Sequence, residues 1–227
     1  DPEGISDTLR DQDLVHCGQR KQLENAKSTL DFNAIDRTAM LGRYATYHNG
    51  ICAGDLNRFT RDFTELDRIT ASWSFIQSTT KVSSPYAGLT SIFLWEEGNG
   101  AYRRLVEDRL GPKNVNAWIR GTEMLGEPGI LISATGVLKA SLFAGVLFDE
   151  NTVALKVEEK HLPAVWLFAS SGRLDAGVRA FDTSRKVRGP IVRVAFDYEE
   201  WNLLAKEKFP NGLPEPESND PTQWLFP

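Results

Sequence analysis

Up to residue 50 the apolar positions follow a helical period. Ile35, Ala39, Leu41, Tyr44, Ala45 and His48 fall close to one helical face, and Asn49-Gly50 supplies residues that tolerate a left-handed C-terminal turn. The segment 1–49 is therefore expected to be helical. Beyond it the pattern changes to short apolar runs between glycines, at residues 90–95, 129–133, 145–148 and 152–157. Each has strand length and β-branched or aromatic content. Glu97-Gly98-Asn99-Gly100 and Asp149-Glu150-Asn151 carry turn chemistry, and the second is expected to close a hairpin between two of these strands. Helical spacing returns with Val165, Trp166, Phe168 and Ala169 behind Leu162-Pro163, where proline suits a first helical turn, and continues through Leu174, Val178 and Phe181. Ile191, Val192, Val194 and Phe196 suggest a strand. Asp197 followed by Glu200 has capping-box spacing for a helix that turns Trp201, Leu204 and Phe209 inward, which makes Asp197 a cap and not a catalyst. The expected fold class is α+β: a mixed central β-sheet over about residues 50–157, flanked by helices, with a helical N-terminal segment and a helix-strand-helix C-terminal part.

Composition and charge narrow the class. The chain has 227 residues, 41% hydrophobic and 25% charged, as an ordinary globular protein does. No apolar stretch reaches the roughly 18 residues of a membrane span, and the first residues are polar, so a cytoplasmic location without a membrane partner is expected. Cys17 and Cys52 are too few for a disulfide framework and are expected to be reduced thiols. His16, His48 and His161 lack the paired spacing of zinc sites, so no metal is expected. The formal charge of -5 opposes a surface coated in nucleic acid, yet the charge is segregated. Between residues 173 and 193, Arg173, Arg179, Arg185, Lys186, Arg188 and Arg193 face only Asp175 and Asp182, a local balance of +4. From residue 194 to the end the balance is -5, with Lys206 and Lys208 against seven acidic residues. A chain polarised in this way can grip a polyanion on one side.

The motif inventory assigns no catalytic, cofactor-binding or metal-ligating residue. There is no Gly-x-Gly-x-x-Gly opening a helix, no phosphate loop, no nucleophile elbow and no His-Glu-x-x-His. Ser83-Ser84-Pro85-Tyr86 is the nearest approach to the polar-Pro-Pro-aromatic motif with which adenine-modifying enzymes hold a flipped base. Ser84 replaces the first proline and no glycine-rich loop precedes it, so the segment is read as a turn before a strand. The run from Gly50 through Ile51-Cys52-Ala53-Gly54-Asp55 to Leu56-Asn57-Arg58-Phe59 suggests a tight backbone turn with an ordered polar side chain and an aromatic plug.

This last segment resembles the junction between catalytic and recognition modules in the large adenine-specific DNA methyltransferases of single-chain restriction-modification and phage-exclusion systems. Other stretches resemble the same family in the same order: Ala117-Trp118-Ile119-Arg120-Gly121, Gly129-Ile130-Leu131-Ile132-Ser133, Leu142-Phe143-Ala144-Gly145-Val146-Leu147-Phe148-Asp149 and Leu162-Pro163-Ala164-Val165-Trp166-Leu167-Phe168. The tail, with Lys208-Phe209-Pro210-Asn211-Gly212-Leu213-Pro214-Glu215-Pro216 and Asn219-Asp220-Pro221-Thr222-Gln223-Trp224-Leu225-Phe226, is its most distinctive part. The similarity runs from about Tyr44 to Pro227. The resemblance implies a helical segment 1–49 that links to an upstream catalytic module, a DNA target-recognition domain over 50–209, and a Pro-rich linker or arm over 210–227. It places the cofactor loop and the Asn-Pro-Pro-aromatic motif upstream of Asp1, and the family usually continues past the Trp-Leu-Phe tail. The chain is accordingly expected to be a non-catalytic piece of a larger enzyme, whose S-adenosylmethionine belongs to the upstream module.

The function so implied is sequence-specific recognition of double-stranded DNA. In such readers Lys and Arg set register on phosphates, while Arg to guanine, Asn or Gln to adenine, and Asp or Glu to cytosine read bases. Candidate DNA contacts are Arg103, Arg104, Lys113, Asn114, Asn116, Arg120 and Lys139 in the sheet region and Arg185, Lys186 and Arg188 in the late basic loop. Arg103 and Arg104 have the competing role of pairing with Glu107 and Asp108 on a surface helix. Two alternatives stand beside this reading. One is a compact, divergent methyltransferase using Ser84-Pro85-Tyr86; the other is a non-catalytic scaffold that docks through its C-terminal tail, against which core packing explains Trp224 and Phe226 more readily.

Overall fold

The computed structural model of the chain describes Gly18, Arg20, residues 40–216 and residues 218–225, the last two by backbone only. Arg37–Pro227 forms one compact unit, to which all that follows refers. It is an α+β fold with two four-stranded sheets. The strands in chain order are β1 (Ala45–Asn49), β2 (Thr60–Asp62), β3 (Trp73–Gln77), β4 (Ser91–Leu94), β5 (Gly129–Ser133), β6 (Ala140–Phe143), β7 (Leu147–Phe148) and β8 (Thr152–Val157). The helices are α1 (Leu56–Phe59), α2 (Ala101–Leu110), α3 (Leu162–Ser170), α4 (Arg173–Arg179) and α5 (Tyr198–Lys208).

The first sheet, ordered β1-β8-β5-β6, is antiparallel throughout. Successive side chains on a strand point to opposite faces, and here both faces are covered. Ile130 and Ile132 of β5, with Val153, Leu155 and Val157 of β8, enter a core shared with α3, α4 and α5. Leu131, Ala154 and Phe143 point the other way, to a smaller cluster with Met124 and Phe148. Two-sided burial explains why residues 129–133 are apolar without alternation. α3 is buried from Ala164 to Ala169, as an apolar helix requires, and its Phe168 meets Trp201 of α5 edge-on at 5.2 Å.

The second sheet, β2-β4-β3-β7, is mixed, because β7 runs parallel to β3. It packs on α2 through Phe59, Phe93, Tyr102 and Val106. A polar tie joins the two sheets. Gln77, at the end of β3 and fully buried, donates to the carbonyls of Ala87 and Leu142 and to Ser141 Oγ at 2.8, 3.0 and 3.1 Å, and accepts from Ala144 N at 3.0 Å.

Several expectations are met. The strands at 91–94, 129–133, 147–148 and 152–157 form, α3 opens at Leu162-Pro163, and Asp197 caps α5 by accepting from Glu200 N at 3.2 Å. Four details are corrected. The sheet is not single: the chain passes from β7 in one sheet to β8 in the other, so Asp149-Glu150-Asn151 is a turn, with Thr152 N donating to Asp149 O at 3.1 Å, but not a hairpin. Residues 45–49, expected at the end of a helix, form β1, because β8 offers a full row of partners from Ala45–Val157 to Asn49–Val153; tertiary pairing outweighs the local periodicity. Ile35 and Ala39 lie outside the described residues. Residues 191–196 do not form a strand. Pro190 fixes φ and lacks an N–H, and Gly189–Arg193 coils into a 3₁₀ turn that still buries Ile191, Val194 and Phe196; only Ala195 bridges, to Met40. In the stretch from residue 210, Leu213 packs on the main core and Pro221–Leu225 coils into a 3₁₀ helix.

Candidate nucleic-acid interface

The Gly50 segment has the local design that its residues suggested. Asp55 caps α1 by accepting from Arg58 N at 3.2 Å, and Phe59 plugs the second core at 0% exposure. Gly54 has φ +67 and lies under the Trp118 ring, where a Cβ would come within 2.2 Å of the indole. At Gly50 the backbone approaches so closely that a Cβ would lie 2.1 Å from Asp149 O. That approach lets Ile51 N donate to Phe148 O at 2.9 Å and brings the segment beside the 149–151 turn.

Three segments meet at this turn. Arg120 arrives from the loop after α2, pinned by Nε to the Gly50 carbonyl at 3.0 Å. Lys186 and Arg188 arrive from the basic stretch after α4, which is held in place by Val187 N donating to Ala134 O at 2.8 Å and by a bridge between Thr135 and Lys186. All three cations surround one carboxylate oxygen, Glu150 Oε2, with Lys186 Nζ at 3.5 Å, Arg188 Nη2 at 3.7 Å and Arg120 Nη2 at 4.0 Å. Lys186 also reaches Asn151 Oδ1 at 3.3 Å, and Arg188 Nη2 donates to the Glu150 carbonyl at 3.2 Å. The Cys52 thiol faces Glu150 Oε1 at 3.6 Å.

The acids here differ in role. Asp149 is held behind Glu150 by the Ser78 hydroxyl and by Asn151 N at 2.9 Å; burial raises its pKa, outweighing those bonds and the nearby Lys186. Burial also pushes the Cys52 thiol up, and the Glu150 charge adds to the effect, so Cys52 is a neutral thiol and not an activated nucleophile. Cys52 forms no disulfide among the described residues; Cys17 and His16 lie outside them.

Of the sequence-derived candidates, Arg120, Lys186 and Arg188 are thus brought together. Arg185 is exposed beside them, and Lys139 sits on the β5–β6 connection, which the Thr135–Lys186 bridge ties to the basic stretch. Arg103, Arg104, Lys113, Asn114 and Asn116 lie elsewhere, on α2 and the loop after it. Arg103 pairs with Glu107 at 2.8 Å, the helix-surface role, and Asn114 Nδ2 closes α2 on the Leu110 carbonyl at 2.9 Å. Arg179, counted in the basic balance, is an internal strut. Its guanidinium donates to the carbonyls of Ser184 at 2.7 Å, Gly136 at 2.5 Å and Asp182 at 3.3 Å. Sequence reasoning missed Glu150 and Asn151 as site residues, since their turn chemistry accounted for them; a lone acid flanking a basic stretch in space has no sequence signal.

The Ser83-Ser84-Pro85-Tyr86 segment is a turn against β6, with Ser84 N donating to Ala140 O at 3.2 Å and Ser83 Oγ accepting from Ala140 N at 3.1 Å. Side chains of Trp224 and Phe226 lie outside the described residues. Among the described residues no helix is long and apolar enough to cross a membrane, and no group of three or more His, Cys, Asp or Glu could hold a metal ion. The chain matches no protein-family model and no curated protein.

Proposed function

We propose that the chain recognises double-stranded DNA for an adenine-specific DNA methyltransferase of a restriction-modification or phage-defence system, and presents the target adenine to an S-adenosylmethionine-dependent module upstream on the same polypeptide. The observation that carries the reading is the convergence of Arg120, Lys186 and Arg188, from segments far apart in sequence, around a single carboxylate. Three positive charges against the carboxylates of Glu150 and Asp149 leave a net +1 on one edge of an acidic protein, which is the polarity that draws in and registers a phosphate backbone. Lys139 and Arg185 extend the same edge, and Asn151 offers an amide near it. The ordered resemblance along the chain supplies the enzyme context.

The test is a panel of labelled duplexes titrated with the chain and with Arg185→Ala, Lys186→Ala and Arg188→Ala combined. The reading expects binding that weakens steeply with salt, and in the variant an affinity at least about tenfold lower for every duplex, with a shallower salt slope and the fold unchanged by circular dichroism. Failure to retain any duplex at low ionic strength refutes it. Turnover of a methyl donor by this chain alone would refute the division of labour.

A further inference from the structure

We infer that Glu150 is an internal stand-in for a phosphate: its carboxylate neutralises a three-cation nest in the free protein and is displaced when a phosphate group takes its place. The inference rests on the reading of this edge as the DNA-contacting one, and adds to it a specific phosphate site and the residue that closes it.

The geometry of the carboxylate argues for displacement. A charge-assisted bond to a carboxylate normally closes to about 2.7–2.9 Å, whereas Glu150 Oε2 has its three cations at 3.5, 3.7 and 4.0 Å. One oxygen is placed to neutralise three donors and bonds none of them well. The Glu150 side chain is 40% exposed, so nothing encloses it and it can swing into solvent. The cations are held by other bonds: Arg120 by the Gly50 carbonyl, Arg188 by the Glu150 carbonyl, Lys186 by Asn151 Oδ1 and by its backbone bridge. The nest therefore persists when the carboxylate leaves. Arg188 Nε is buried and has no hydrogen-bond partner among the described residues, so the cluster's donors are not exhausted by its own acceptors. A phosphate brings several oxygens on one centre and matches three divergent donors better than a single carboxylate oxygen does. An internal carboxylate also lowers affinity for every polyanion alike, which protects a sequence-reading protein from tight non-specific capture.

The experiment compares wild type, Glu150→Gln and Glu150→Asp against a labelled duplex at fixed salt. It also uses inorganic tripolyphosphate, followed through the Nε–H NMR signals of Arg120 and Arg188. Glutamine keeps the acceptor that faces Cys52 and removes the competing charge. Glu150→Gln is expected to bind both probes at least about fivefold more tightly, because a like charge is removed from the polyanion's contact, while Glu150→Asp stays near wild type. Equal or weaker binding of both probes by Glu150→Gln overturns the inference. If the duplex binds wild type and Glu150→Gln alike and tripolyphosphate does too, the stand-in falls while DNA recognition survives. If no form binds the duplex but Glu150→Gln binds tripolyphosphate more tightly, DNA recognition falls and the phosphate nest stands. Should Glu150→Gln fail to fold, Lys186→Ala decides: unchanged tripolyphosphate affinity in that variant overturns the inference.

Discussion

Arg120 donates its Nε hydrogen to the Gly50 carbonyl at 3.0 Å across seventy residues of sequence, while its Nη2 stands 4.0 Å from the Glu150 carboxylate. One planar fork thus fastens the loop after α2 to the end of β1 and places a charge at the candidate interface. Stability and the proposed DNA contact share the residue. Arg120→Ala strands a buried carbonyl and is expected to cost about 1–3 kcal/mol in urea unfolding. Arg120→Lys keeps the charge without the fork, and is expected to recover duplex binding better than stability. An unchanged unfolding midpoint for Arg120→Ala would show that the Gly50 bond does not hold this loop.

Gln77 is the second joint. Its amide faces three acceptors and one donor between the sheets, so Gln77→Leu, close in size, leaves Ala144 N without this acceptor and the Ala87 and Leu142 carbonyls with only the Ser141 hydroxyl to share. The expected loss is about 3 kcal/mol or more by denaturant titration. A loss under about 1 kcal/mol would mean that water or repacking replaces the amide.

Gly50→Ala tests the close approach of the 50–59 segment to the 149–151 turn. The added Cβ would meet Asp149 O at 2.1 Å and Phe148 O at 2.4 Å, both backbone atoms that no side-chain rotation can clear. Displacing the Ile51–Phe148 pairing is expected to lower the melting temperature by about 10 °C or more and to loosen the Glu150 cluster with it. Gly126→Ala is the reference for a glycine whose Cβ meets no atom within 4 Å; strained by its φ of +76 alone, it should cost less.

Asp149 is expected to give the fold a pH dependence whose sign follows from its burial. Burial raises its folded pKa above the ordinary 3.8, so the folded state holds the proton more tightly than the unfolded chain does. Its contribution is fully present below the unfolded value and is lost as pH rises through the folded one. Asp149→Asn keeps an acceptor for Asn151 N and a group able to bond the Ser78 hydroxyl, and cannot ionise. The stability of the variant relative to wild type is expected to grow as pH rises from about 4 toward neutrality, measured by urea unfolding across that range. A constant difference between the two proteins would show that Asp149 does not titrate on folding.

Some of the candidate site was legible from residues alone, and the division follows the range of the forces. Asp55 and Asp197 act on amides three residues away, and Phe59 follows its own helix, so cap and plug were visible in the Gly50 segment and before α5. The basic character of residues 185–188 was visible as a charge balance. That Arg120 joins Lys186 and Arg188, that Arg103 does not, and that Arg179 is spent on carbonyls depended on which loops the sheets bring side by side.

The sequence by itself determined the α+β class, the strands at 91–94, 129–133 and 152–157, the apolar helix behind Pro163 and the cap at Asp197, because each follows from periodicity or from hydrogen bonds between near neighbours. Only the tertiary structure decided that residues 45–49 are a strand, that the strands divide into two sheets, and that Glu150 stands among three cations. In each of these cases the partner lies tens of residues away. A backbone with a helical pattern takes whichever pairing satisfies its amides, and a charge acquires its neighbours only when the chain has closed around them.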